Sequence, residues 1–206
     1  MTLPRVYLVT GRTSGQDLAA LVRRAVDGLP PGSVAVQLRE KDLAGRDLLR
    51  LARALGEVCV PAGQPLVVND RLDVAILAGA AGVHLPSAGV SPADARRFLG
   101  PSALVGVSCH SPEDVARARA GGADFATFGP VFETPSKREY GPPVGLPRLA
   151  EAAGLGLPLY GLGGVDAGNA GEVIAAGAHG VAAIRAWIEA PDPVAAVRAL
   201  LAAAKP

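Results

Sequence analysis

A single (β/α)8 TIM barrel spanning residues 1–206 is the α/β architecture this chain predicts, and three observations predict it. Short apolar, β-rich runs alternate eight times with Ala/Leu/Arg-rich stretches of helical periodicity, the pattern of a parallel sheet with helical crossovers. Composition does not shift along the chain, so nothing marks a second domain. The first strand runs into YLVTGRTSG and lacks the GxGxxG turn of a dinucleotide-binding sheet. A doubly wound open sheet is the alternative, and 206 residues is short for a barrel.

The elements follow in order. Strand-like runs cover 5–10 (RVYLVT), 33–39 (SVAVQLR), 65–69 (PLVVN), 82–85 (GVHL), 103–108 (ALVGVS), 124–129 (DFATFG), 157–164 (LPLYGLGG) and 180–184 (GVAAI). Helical periodicity covers about 15–28, 43–60, 72–81, 91–99, 111–120, 146–153, 167–176 and 191–203, with a further helical turn at 185–188. Two helix starts are punctuated by SPAD at Ser91 and SPED at Ser111, each offering a capping hydroxyl and Pro at the first helical position. The exits AGGAD and AAGAHG supply glycine where a helix must end.

Composition narrows the function. Half of the residues are hydrophobic, net charge is +1, aromatics make up 4%, and no basic block occurs, which argues against a nucleic-acid surface. Cys59 and Cys109 fit no metal-ligand spacing and read as free thiols of a cytoplasmic protein. No apolar run reaches membrane-spanning length, and MTLPRVYLVT enters a strand directly, so no membrane partner is expected. A homo-oligomer is compatible with the sequence, which does not specify the state.

In a barrel, chemistry collects where strands end. Those positions hold Thr10, Gln37, Arg39, Lys41, Asn69, Asp70, Arg71, His84, Ser108, His110, Thr127, Gly129, Thr134, Ser136, Lys137, Gly163, Gly164, Ala183 and Ile184. Gln37, Arg39 and Lys41 alternate, which places them on one face if the strand continues through them. Either an anionic ligand or solvent at a strand end accounts for them. Bare amides around Gly163, Gly164, Ala183 and Ile184, after the seventh and eighth strands, suit a phosphate, so the expected partner is a small-molecule phosphate ester. The loop 130–145 reads as a lid, in which Glu133 either relays a proton or keeps the lid soluble, the second being preferred. His84 could touch ligand or be a satisfied structural histidine, while His179 falls at the opposite end of the barrel.

The pieces YLVT, VQLREK, VVNDRLDVA, AGVHL, GVSCHS, FGPVFETPSK, GLGGV with Asn169, and AGAHGVAAI stand together in one order. With them the chain resembles the thiamine phosphate synthase and TenI superfamily over nearly its whole length. The resemblance implies a thiazole phosphate or pyrimidine pyrophosphate ligand held by Gln37, Arg39, Lys41, Asn69 and Lys137, with Asp70 as a Mg²⁺ ligand if the chain is a synthase; the strand-end positions add Ser108, Thr134 and Ser136 to the expected substrate-binding residues. The second metal-binding Asp of the synthase GQxD segment is missing: Pro86, Ser87 and Gly89 stand there. The LPS-x-x-x-SP stretch, GVSCHS and FGPVFET resemble the TenI-type thiazole tautomerases, which need no cofactor. The main expectation is therefore a tautomerase in which His110 moves a proton, histidine having the pKa for both steps. Mg²⁺-dependent thiamine phosphate synthase is the alternative, and a non-catalytic binder of thiamine phosphate is the third reading.

Overall fold

The computed structural model describes residues 2–11, 17–134 and 142–205. Eight strands, β1 (Val6–Val9), β2 (Val34–Leu38), β3 (Leu66–Asn69), β4 (Gly82–Leu85), β5 (Leu104–Cys109), β6 (Phe125–Phe128), β7 (Leu159–Leu162) and β8 (Gly180–Ala183), close into a parallel barrel in sequence order. The closing seam pairs Val6 with Val181 and Leu8 with Ala183, which excludes the open sheet. The surrounding helices are α1 (Leu18–Val26), α2 (Gly45–Cys59), α3 (Leu72–Ala78), α4 (Pro92–Leu99), α5 (Pro112–Ala120), α6 (Gly145–Ala153), α7 (Ala170–Ala175), the short α8 (Arg185–Ile188) and α9 (Pro193–Ala203). None of them is long and apolar enough to cross a membrane.

Strand alternation divides the core in two. Val6, Leu8, Val34, Val36 and Leu38 face the helices and join one large apolar cluster. Tyr7, Val9, Ala35, Val67, Leu104, Phe125, Tyr160 and Ala182 face inward and fill the barrel. Tyr7, Phe125 and Tyr160 meet there with ring centroids 5.3–5.5 Å apart, two of the three contacts edge-on. Gly106 makes room for this layer, since a Cβ there would lie 2.4 Å from the Phe125 ring and 2.8 Å from His84 Nδ1. Cys59 and Cys109 are buried free thiols, and burial pushes each up to about 12, so neither is a ready nucleophile.

The strands are generally shorter than the apolar runs suggest, and one difference matters for the site. Pairing of β2 with β3 ends at Leu38 and Val68, so the strand stops before Arg39. Gln37 alone of the expected trio lies in a strand; Arg39 follows it half-buried, and Lys41 is exposed in the next turn. The cause is Glu40, which is buried and accepts a 2.7 Å hydrogen bond from Thr10 Oγ1. Thr10 Oγ1 in turn accepts from the Arg39 amide at 2.9 Å, folding the chain over the end of β1.

Candidate active site

Among the described residues, the C-terminal ends of the strands bring Asn69, Asp70, Ser108 and His110 to one mouth. Asn69 closes β3, and Asp70 follows it exposed, with φ of 63°, the one non-glycine residue in the left-handed region among the described residues. The Arg71 amide bonds back to Asn69 O at 2.7 Å, a three-residue γ-turn centred on Asp70, and the Asp70 amide donates to His84 O at 2.9 Å. A non-glycine residue in that region costs about 1–2 kcal/mol, so the fold holds this carboxylate in place against local preference. Arg71 makes a two-bond ion pair with Asp73, which keeps its guanidinium on the surface near the start of α3.

Ser108 and His110 stand on the inward parity of β5. Ser108 is half-buried; His110, just past the strand, is exposed. His110 Nδ1 lies 2.6 Å from Gly129 O, and a carbonyl only accepts, so Nδ1 carries a ring hydrogen. The His110 amide donates to Asp114 Oδ2 at 2.8 Å, tying the residue to the capping box of α5.

His84 is buried inside the barrel, with Ser108 Oγ 3.1 Å and Thr127 Oγ1 3.2 Å from Nε2 and Tyr7 Oη 3.4 Å from Nδ1. Burial, helped by the positive charge of Arg39, pushes its pKa down to about 3, so the ring is neutral. Gln37 is buried beside it and donates from Nε2 to Tyr7 Oη at 3.1 Å. His179 lies at the other end of the barrel, its Nε2 3.1 Å from Leu3 O.

Gly163 and Gly164 follow β7 with φ of 98° and 67°, and Ile184 precedes α8. Ala183 ends β8 and is buried. The glycines have a structural use besides any ligand. A Cβ on Gly163 would lie 2.6 Å from Pro130 Cα, and one on Gly164 would lie 2.6 Å from Glu133 O. Close packing of the descending β6–α6 segment is thus a second reason for the pair, beside the expected approach of a phosphate to their amides. Val131 and Phe132 amides donate to Leu162 O and Gly163 O at 2.9 Å, so the start of the expected lid is fastened to β7. Thr134 is buried, with the Arg185 guanidinium 3.5 Å from its hydroxyl. Ser136 and Lys137 lie outside the described residues.

Tyr7 and Glu40 are the residues of this region that sequence reasoning missed. Inward parity on β1 marks Tyr7; Glu40 was hidden between two conspicuous cations. The described residues contain no cluster of three His, Cys, Asp or Glu side chains able to hold a metal. Gly89 stands where a second carboxylate would be expected; its amide bonds to Pro86 O at 3.0 Å, and a Cβ would lie 2.7 Å from the Pro86 ring. Of the expected pair of metal-binding carboxylates, the described residues therefore keep only Asp70. That suits Mg²⁺ held largely by substrate phosphates and no ion that demands a full protein cage.

A family model described as thiamine monophosphate synthase matches residues 6–187. A protein named putative thiamine-phosphate synthase from Geobacter sulfurreducens is 50% identical over 204 residues, 98% of this chain and 94% of its own. The thiamine-phosphate synthase of Methanoculleus marisnigri is 46% identical over 206 residues, 97% of this chain and 96% of its own. Among solved structures, thiamine phosphate pyrophosphorylase from Pyrococcus furiosus matches with a TM-score of 0.86 at 28% identity, over 97% of this chain and 95% of that one. These relatives overturn the expectation of a thiazole tautomerase, because chains 46–50% identical along nearly their full length bear the synthase name. The LPS-x-x-x-SP stretch misled because its central residues, Ser87 to Ser91, form an exposed turn, where sequence varies with little constraint from the barrel.

Proposed function

The chain belongs to the thiamine monophosphate synthase family, and on that footing we propose that it is a thiamine-phosphate synthase, joining a hydroxymethylpyrimidine pyrophosphate to a thiazole phosphate. The observation that carries the choice is Asp70, an exposed carboxylate held in a left-handed γ-turn at the mouth, where a metal-free proton shift has no use for it. In the proposed reaction the C–O bond between the pyrimidine methylene and pyrophosphate breaks, pyrophosphate leaves with the electron pair, and the thiazole nitrogen lone pair forms the new C–N bond. No proton has to move.

The chain's residues then bind and orient. Arg39 and Lys41, on the segment folded over β1 by Thr10 and Glu40, meet the pyrophosphate; Lys137 and Ser136 join them from the β6–α6 loop. Gln37, Asn69 and Ser108 line the pyrimidine side, and Thr134 with the amides of Gly163, Gly164, Ala183 and Ile184 takes the thiazole phosphate. Asp70 would hold Mg²⁺ together with the substrate's own phosphate oxygens. When bound, the ion would stabilise charge on the departing pyrophosphate. His110, its Nδ1 held on Gly129 O at the mouth, lines the site and is not required as an acid or base.

The test is incubation of the protein with the pyrimidine pyrophosphate, thiazole phosphate and Mg²⁺, following pyrophosphate and thiamine phosphate together. Equal formation of both is expected, lost with EDTA and restored with Mg²⁺. Ligand binding without turnover, or aromatisation of a thiazole carboxylate phosphate without coupling, would overturn the proposal.

A further inference from the structure

Five strands send one polar side chain each into a hydrogen-bonded run in the barrel interior: Tyr7 from β1, Gln37 from β2, His84 from β4, Ser108 from β5 and Thr127 from β6. Four of them are buried and Ser108 is half-buried, so the run leads from Tyr7 in the aromatic core toward the mouth. Its hydrogen bonds have a direction. Gln37 Nε2 donates to Tyr7 Oη at 3.1 Å. A phenol that accepts from an amide has one hydrogen left to give, and His84 Nδ1, 3.4 Å away, is the acceptor in reach. A neutral imidazole that accepts at Nδ1 carries its hydrogen on Nε2, which then donates toward Ser108 Oγ and Thr127 Oγ1 at 3.1 and 3.2 Å.

The ends of the run keep what the run does not use. At β2 that is the carboxamide oxygen of Gln37, an acceptor, with the second amide hydrogen beside it; at β5 it is the hydroxyl hydrogen of Ser108, a donor. We propose that Tyr7 and His84 are positioning residues, which lock the hydrogen-bond polarity of Gln37 and Ser108 and so set the site to prefer a neutral heterocycle carrying an amino group beside a ring nitrogen. This rests on the synthase reading, whose aminopyrimidine substrate has that pattern. Neither residue is placed on the reacting atoms. Their effect is to stop the Gln37 amide from turning over, since a flipped amide would set its oxygen against Tyr7 and force the opposite histidine tautomer.

Two measurements test this. Long-range ¹H–¹⁵N spectra of the substrate-free protein, with His84 assigned by a His84→Gln variant, should show the Nε2-protonated tautomer. An Nδ1-protonated or averaged pattern overturns the proposal whatever the protein catalyses. In coupling assays, Tyr7→Phe preserves shape and removes the link. It should raise KM for the aminopyrimidine pyrophosphate about 10-fold, the size of one hydrogen bond, leaving kcat and the KM for thiazole phosphate near wild type. The preference over the 4-oxo analogue of the pyrimidine should shrink by a similar factor. Wild-type KM and preference in Tyr7→Phe would sink the positioning role and leave the synthase reading standing. Absence of coupling in the wild type would instead sink the synthase reading, and the tautomer would still decide the polarity of the run.

Discussion

His110 and Asp70 exchange importance once the reaction is a coupling. A positioned acid–base group supplies about 10²–10⁴-fold where a proton moves, and none has to move between these substrates. His110→Ala should therefore keep initial coupling rates within about 10-fold of wild type; a loss near 10³-fold would return proton transfer to the mechanism. Asp70 should behave in the opposite way. Asp70→Asn is expected to lower coupling by about 10²-fold or more and to raise the Mg²⁺ concentration needed for half-maximal rate. Its backbone adds a second handle, because φ of 63° suits glycine. Relief of about 1–2 kcal/mol of left-handed strain is partly cancelled by the freer unfolded chain of a glycine variant, about 0.4–1 kcal/mol. Asp70→Gly should thus be inactive yet melt no lower than wild type, and Asp70→Ala should melt below it. An active Asp70→Gly would remove the carboxylate from the mechanism.

At the scale of elements, α5 ties stability to the position of His110. Ser111 accepts from the Asp114 amide at 3.2 Å, while Asp114 Oδ2 accepts from the Ser111 amide at 3.0 Å and the His110 amide at 2.8 Å. Ser111→Ala should cost about 1 kcal/mol in denaturant unfolding, as cap removal does, with coupling rates little changed because Asp114 still holds His110. A variant as stable as wild type would mean the cap is redundant with Pro112. This cap was legible in SPED, as were all eight strands and the order of helices, because alternation, capping residues and terminal glycines are local signals. The mouth was legible for the same reason: Arg39, Asn69, Asp70, Ser108 and His110 sit at or just past strand ends. What lay beyond reach depends on closure. Tyr7 and His84 are 77 residues apart and meet across the barrel interior, and the inward turn of Glu40 is visible only once β1 lies beside β2. Nor could the packing role of the double glycine after β7 be read before the β6–α6 segment was seen against it.

The barrel as a whole excludes water from a titratable ring, and this has a consequence for its acid stability. His84 has its pKa pushed from 6.5 to about 3 in the folded chain, by burial first and Arg39 second. Between those two values the unfolded chain binds a proton that the folded chain does not. Stability therefore rises with pH through that window, is fully present above about 6.5, and is lost as pH falls toward the folded value. One proton contributes a slope of up to about 1.4 kcal/mol per pH unit. Carboxylates also titrate in acid, but one whose pKa is lowered, as that of Asp73 is by its hydrogen bonds with Arg71, acts chiefly below its ordinary 3.8. The interval from about pH 6 to pH 4.5 thus reports mainly on histidine. His84→Gln keeps a polar side chain in the layer and removes the titration. It should be less stable than wild type at neutral pH, because the run from Tyr7 to Ser108 is broken. The gap should then narrow steadily as pH falls, since only the wild type loses stability by protonating its unfolded His84. Urea midpoints of the two proteins across that interval make the comparison. A gap that stays constant from pH 7 to pH 4.5 would mean that His84 takes up its proton equally well in the folded barrel, and that the interior layer is open to water after all.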